Sequence, residues 1–162
     1  MGGRRGALAS ALCALSLLVA CASVPPLPTT IKAQNPQQTR IYVMREAKFF
    51  SELGHPGIKL GDEVVGTLAP ARFLIIDKAP GQYVVSVNSS PGYYAITVTA
   101  HAGSVHYLQV GLRPFVEQYL TSGLIPQMIE QASTGHNGAF TLVELSEPAG
   151  RAMLQKLMSE AG

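Results

Sequence analysis

Charge is scarce in this sequence. Only 14% of its 162 residues are Asp, Glu, Lys or Arg, whereas 47% are hydrophobic. A chain this apolar is not a solvated, disordered polymer. Neither sign dominates, since the formal net charge is +2. Binding to nucleic acid rests on a clear basic excess, so no nucleic-acid partner is expected. Even the small excess is local: Arg4 and Arg5 lie in the first five residues. Without 1–20, the twelve Lys and Arg become ten, matching the ten Asp and Glu.

Cysteine is nearly missing. There are two, Cys13 and Cys21. No CxxC pair occurs, which excludes a dithiol redox centre and a cysteine-based zinc site. Long apolar runs are missing too. The stretch 7–20, ALASALCALSLLVA, has 14 residues, and a spanning helix needs about 20. Also absent are the metal-binding patterns HxH and HExxH and the GxSxG elbow of serine hydrolases.

The opening segment instead has the proportions of a secretory leader, with "MGGRRG" as its positive start and 7–20 as its apolar centre. Leader cleavage normally wants small residues at −3 and −1. Here Leu18-Val19-Ala20-Cys21 resembles a bacterial lipobox. That resemblance implies cleavage between Ala20 and Cys21. It also implies a diacylglycerol group on the Cys21 thiol, with further fatty acid such as palmitate. Each buried methylene contributes about 0.8 kcal/mol, so several acyl chains hold firmly. Membrane lipid is thus the first expected partner. The residue after Cys21 is Ala22 rather than Asp, which favours the outer membrane in a Gram-negative host. With Cys13 in the leader and Cys21 acylated, the mature chain could form no disulfide.

Residues 21–39 follow as a tether. Four of the 11 prolines, Pro25, Pro26, Pro28 and Pro36, fall there. Proline with Gln, Asn and Thr favours extended, solvated chain.

From 40 to 146 the pattern is β. "RIYVMRE" (40–46), two short strands about Gly61-Asp62 (57–68), "RFLIID" (72–77), "QYVVSVNSS" (82–90), "YYAITVTA" (93–100), "SVHYLQVGL" (104–112) and "AFTLVEL" (139–145) recur between turn signals. Alternation puts Tyr83, Val85 and Val87 on one face, and Ile96, Val98 and Ala100 on another. Seven or eight such strands predict a mainly β fold, an antiparallel β-sandwich. A broken helical segment is expected near 114–132, interrupted by Gly123 and Pro126. The last stretch, 147–162, predicts a helix that packs on the domain, with Ser146 as N-cap and Met153, Leu154, Leu157 and Met158 as its apolar stripe.

The order "RIYVMR", "IKLGDEVVGTL", "FLIIDKAPGQYVVSV" and "LVELSEPAGRAML" is similar to a family of small bacterial lipoproteins with a domain of unknown function. That family looks related to the PEGA and carboxypeptidase-regulatory-like β-sandwiches, which are accessory modules. The hairpin "LGDEVVG" departs from the family pattern. The resemblance implies fold and location, and it supplies no activity.

Chemistry-bearing residues are few. His55, His101, His106 and His136 show no ligand spacing, and surface or turn positions account for them. Asp62-Glu63 reads as a solvated hairpin tip, and "APGQY" (79–83) as a Pro-Gly turn. No metal, cofactor or catalytic residue is expected. The expected function is a non-enzymatic binding or structural module anchored in the cell envelope, facing the periplasm, with another envelope protein as partner. The alternatives are a glycan-binding protein or an envelope hydrolase, the latter built from His101, His106, Asp77 and Glu144. The candidate interaction surface is Leu124, Ile125, Met128 and Ile129. Their segment is expected to pack one side on the sandwich and expose the other. A fully buried cap is the competing arrangement.

Overall fold

The computed structural model of the protein describes residues 30–47, 54–88, 92–113 and 138–160. Eight strands and one helix fall within them. The strands are β1 (Thr39–Arg45), β2 (Gly57–Leu60), β3 (Glu63–Thr67), β4 (Arg72–Lys78), β5 (Gly81–Asn88), β6 (Tyr93–Ala100), β7 (Val105–Leu112) and β8 (Phe140–Leu145). The helix α1 spans Glu147–Glu160. Outside the described residues lie the leader, Cys21, the tether up to 29, the end of the strand read over 82–90, the helical segment 114–132 with Leu124, Ile125, Met128 and Ile129, His136, and the last two residues of the helix read over 147–162.

The strands form two four-stranded sheets. The first has the order β4-β1-β7-β8 and the second β3-β2-β5-β6. They stack as a β-sandwich. Ile41, Val43, Leu108 and Leu142 from the first sheet meet Ile58, Val85, Val87 and Val98 from the second in one buried cluster. The mainly β expectation holds, strand by strand. Its antiparallel detail needs one correction: β1 pairs with β7 in parallel, Ile41 beside His106 and Val43 beside Leu108. Successive hairpins fix antiparallel neighbours. β1 and β7 are far apart in the chain, so no hairpin constrains them. The parallel pair occupies the middle of its sheet, where both faces are covered.

That coverage explains β1. All seven of its residues are buried. Ile41 and Val43 point inward, while Tyr42 and Met44 join a second cluster on the outer face with Tyr107, Met153, Leu154 and Leu157. The helix supplies the last three. Ser146 begins α1 as expected, its carbonyl accepting the Gly150 N–H at 2.8 Å. Gly150 lies directly on the Tyr107 ring, and a β-carbon there would overlap Tyr107 Cβ, Cγ and Cδ2. Tyr107 in turn stacks on Tyr42, centroids 5.5 Å apart and planes 6° from parallel. Only glycine lets the helix approach this closely.

Strand polarity gives the sandwich two distinct ends. The first end carries the β2–β3 turn, the β4–β5 turn and the β6–β7 turn, together with the start of β1. Gly61 makes the first of these turns at φ 59°. The second end carries Arg45, Gly57, Asn88, Tyr93, Leu112 and Phe140, the strand ends that flank 48–53, 89–91 and 114–137.

Candidate functional site

Most polar groups with short contacts gather at the first end, in two sets on opposite faces of one sheet. The inner set starts at Thr39, fully buried. Thr39 Oγ1 lies 2.8 Å from Ser104 Oγ. Ser104 Oγ lies 3.0 Å from His106 Nε2, and His106 Nδ1 lies 2.7 Å from Glu144 Oε1. The fold assembles this row simply. β7 runs beside β1 on one side and β8 on the other, and Ser104 belongs to the turn before β7. An ionised carboxylate only accepts, so the His106 Nδ1 proton faces Glu144 and Nε2 is free to accept from Ser104.

Two of the four residues named for a hydrolase therefore meet, His106 and Glu144. The other two do not join them. Asp77 is committed to Arg40, and His101 offers its backbone, its N–H donating to Ser104 Oγ at 3.1 Å. Sequence reasoning named His106 and Glu144 among its four candidates, and it missed Ser104 as their neighbour. The available signal was that 106 and 144 fall on the inward phase of neighbouring strands, with Ser104 two residues ahead of His106.

Nucleophile, base and orienting acid at such distances are the geometry of acyl-transfer enzymes. The same chemistry needs free N–H donors aimed at a developing oxyanion. Here the nearby backbone donors are spent. His101 N–H goes to Ser104 Oγ, Ser104 N–H to His101 O at 3.1 Å, and Gly103 N–H to Gln38 O at 3.0 Å. Ser104 Oγ also lies 2.8 Å from His101 O, a second acceptor for its one proton. The same contacts tie the β6–β7 turn to the starts of β1 and β7 and to the end of β8.

The outer set centres on Arg40. Its Nε and Nη2 donate to Asp77 Oδ1 and Oδ2, both at 2.7 Å. Its Nη1 donates to the carbonyl of Thr30 at 2.8 Å. The bond to Asp77 raises the guanidinium pKa above its ordinary value, against the opposing effect of burial. One turn of pleat further, Tyr42 Oη donates to the carbonyl of Ile31 at 2.9 Å. Burial is the main cause that lifts the Tyr42 pKa above its usual value. The Ile31 side chain packs into the second cluster. So 30–38, read from sequence as the end of a tether, lie against the domain.

The second end holds the other arginine of "RIYVMR". Arg45 is 3% exposed and points inward. Its Nη1 donates to Gly54 O at 2.8 Å and to Leu68 O at 3.0 Å, and its guanidinium sits 4.9 Å from the Phe140 ring centroid. Beside it a cavity of about 20 Å³ is lined by Arg45, Glu46, Gln109, Leu112 and Phe140. That volume is enough for a water molecule.

The remaining sequence candidates take the plain roles expected of them. Asp62 is exposed at the hairpin tip. Glu63 pairs with Lys78 at 2.7 Å, mostly in solvent. In 79–83, Tyr83 Oη donates to Ala79 O at 2.7 Å and closes the turn. His55 and His101 are exposed. Among the described residues no three His, Cys, Asp or Glu gather as a metal site, and no helix is long and apolar enough to cross a membrane. Comparison of the chain with protein-family models, curated proteins and solved structures finds no match.

Proposed function

We propose that this chain is a lipid-anchored cell-envelope lipoprotein whose β-sandwich is a non-enzymatic binding or structural module. The lipobox-like Leu18–Cys21 and the proline-rich 21–39 support the anchor. One observation carries the module reading. The chain reaches the domain at its first end, where Arg40 holds Thr30, while 114–137 leave and return at the second end, between Leu112 and Phe140. The segment that carries Leu124, Ile125, Met128 and Ile129 is thus joined to the domain at the end opposite the one where the tether arrives. The apolar character of that segment is what a docking patch needs.

Mass spectrometry of the mature protein tests the anchor. The expected mass begins at Cys21 with acyl chains, and Cys21→Ser leaves an uncleaved precursor. A mature protein that starts elsewhere without acyl mass would overturn it. For the surface, Ile129→Asp is expected to fold with an unchanged melting temperature and to lose cross-links to envelope proteins made from that segment. A large fall in melting temperature would show a buried cap instead.

An envelope hydrolase is the second reading, and the Ser104–His106–Glu144 distances favour it. A fluorophosphonate probe that labels Ser104, with labelling lost in His106→Ala, would establish it. Absence of labelling in the folded protein removes it.

A further inference from the structure

The residues ahead of β1 are held in an unusual way. Residues 30–34 touch the domain through two backbone carbonyls and one apolar side chain. Arg40 Nη1 takes Thr30 O, Tyr42 Oη takes Ile31 O, and the Ile31 side chain, partly buried, packs at the margin of the cluster under α1. Lys32 and Gln34 are exposed. Behind this contact the chain is fixed more locally. Asn35 Oδ1 accepts from Gln37 N–H at 2.9 Å, Asn35 O accepts from Gln38 N–H at 3.0 Å, and Gln38 O accepts from Gly103 N–H at 3.0 Å. A tight turn at 35–38 thus stands between a lightly held segment and β1.

Releasing 30–34 would strand no buried charge. Arg40 keeps both bonds to the Asp77 carboxylate, with Asp77 itself 30% exposed. The Tyr42 ring keeps its stack on Tyr107 and its edge contact with Phe73. The freed carbonyls and the Tyr42 hydroxyl would meet water. Each neutral hydrogen bond of this kind has a small net value, because water replaces it.

We propose that residues 30–34 form a releasable strap that gives the anchored domain two tether lengths. The inference rests on the lipid-anchor reading for its consequence, and on the strap geometry for its mechanism. With the strap docked, nine residue steps separate Cys21 from Thr30. That allows at most about 32 Å of extended chain. With the strap released and the 35–38 turn intact, fourteen steps separate Cys21 from Asn35, or about 50 Å. Pull from a partner on the far side of the periplasmic space favours the longer state, since it is the only one that lengthens the reach. The hinge is the turn at Pro36, and the latch is the pair Arg40 and Tyr42.

Trypsin tests the strap without reference to the lipid. Cleavage after Lys32 needs several residues on each side to leave the domain surface. In the full-length protein that cut is expected to be slow, yet faster than global unfolding. Tyr42→Phe removes one latch bond and keeps the ring. It should speed the cut about fivefold with little change in melting temperature. Ile31→Ser should speed it further. A cut no slower than in a free peptide of the same sequence, or an unchanged rate in both variants, overturns the strap. So does cleavage that occurs only with global unfolding. The tether lengths are then read from the acylated protein in phosphatidylethanolamine–phosphatidylglycerol vesicles, by neutron reflectometry of the domain's height. Tyr42→Phe/Ile31→Ser is expected to stand farther from the bilayer than wild type, and equal heights overturn the two-length proposal. If Cys21 carries no lipid, the anchor reading fails, while the trypsin result still decides the strap.

Discussion

The two outer faces of the sandwich differ sharply. On the first sheet, Tyr42, Met44 and Tyr107 point outward and are buried under α1 and the 30–34 segment. On the second sheet, Val64 is 67% exposed, Val84 49% and Tyr93 47%. Both faces carry apolar residues, but only one carries them densely enough to fill a second core. The difference is written in strand pattern. β1 is buried at every position, whereas β6 keeps exposed Tyr93, Thr97 and Thr99 among its inward residues. A strand that loses its period-2 alternation has a cover on each side. Scattered valines on an alternating strand need no such cover.

The comparison predicts unequal responses to substitution. The largest belongs to the covered face. Gly150→Val places a branched side chain against Tyr107, and α1 must lift. The expected loss is about 3 kcal/mol, read as a lower midpoint in urea and a loss of near-ultraviolet tyrosine signal. An unchanged midpoint would show that the helix contributes little.

Arg45→Met comes next. It removes a buried guanidinium and leaves Gly54 O and Leu68 O without that donor. The expected loss is roughly 2 kcal/mol. Because those carbonyls border the second end, accelerated hydrogen exchange should concentrate in β2 and the β3–β4 connection. Uniform acceleration across both sheets would contradict this local role.

The tyrosines of the covered face give a pH signature. Burial raises the pKa of Tyr42 and Tyr107 above the usual 10.0. The folded state therefore keeps these protons to higher pH than the unfolded state does. Their contribution is complete below pH 10 and is lost as pH rises through the folded-state values. Stability should be level between about pH 7 and 9 and fall above about 10. Tyr107 Oη is buried with no hydrogen-bond partner among the described residues. Tyr107→Phe should therefore be neutral or stabilising by up to about 1 kcal/mol at pH 7, and should flatten the alkaline fall. A clear loss at pH 7 would reveal a partner for that hydroxyl.

The smallest effect belongs to the open face. Val84→Thr is expected to stay within about 0.5 kcal/mol. A larger loss would mean that something covers this sheet as α1 covers the other.

The sequence by itself determined the elements. The two strands about Gly61-Asp62 are β2 and β3, the apolar 72–77 is β4, and Ser146 opens α1 with Met153, Leu154 and Leu157 buried as the stripe required. These features are local, set by side-chain periodicity, turn chemistry and caps within a few residues. Alternation also fixed which residues face inward in β5 and β6. Tertiary structure alone decided what those elements meet. The parallel pairing of β1 with β7 has no hairpin to announce it. The close approach of Gly150 to the Tyr107 ring is likewise absent from the local pattern. His106 and Glu144 are 38 positions apart, and Arg40 and Asp77 are 37 apart. Nothing in either local pattern names the partner, because a contact of that kind depends on strand order and register. The same holds for Thr30 and Ile31. Composition marked them as solvated tether, and composition is blind to two side chains on β1 that reach their backbone carbonyls.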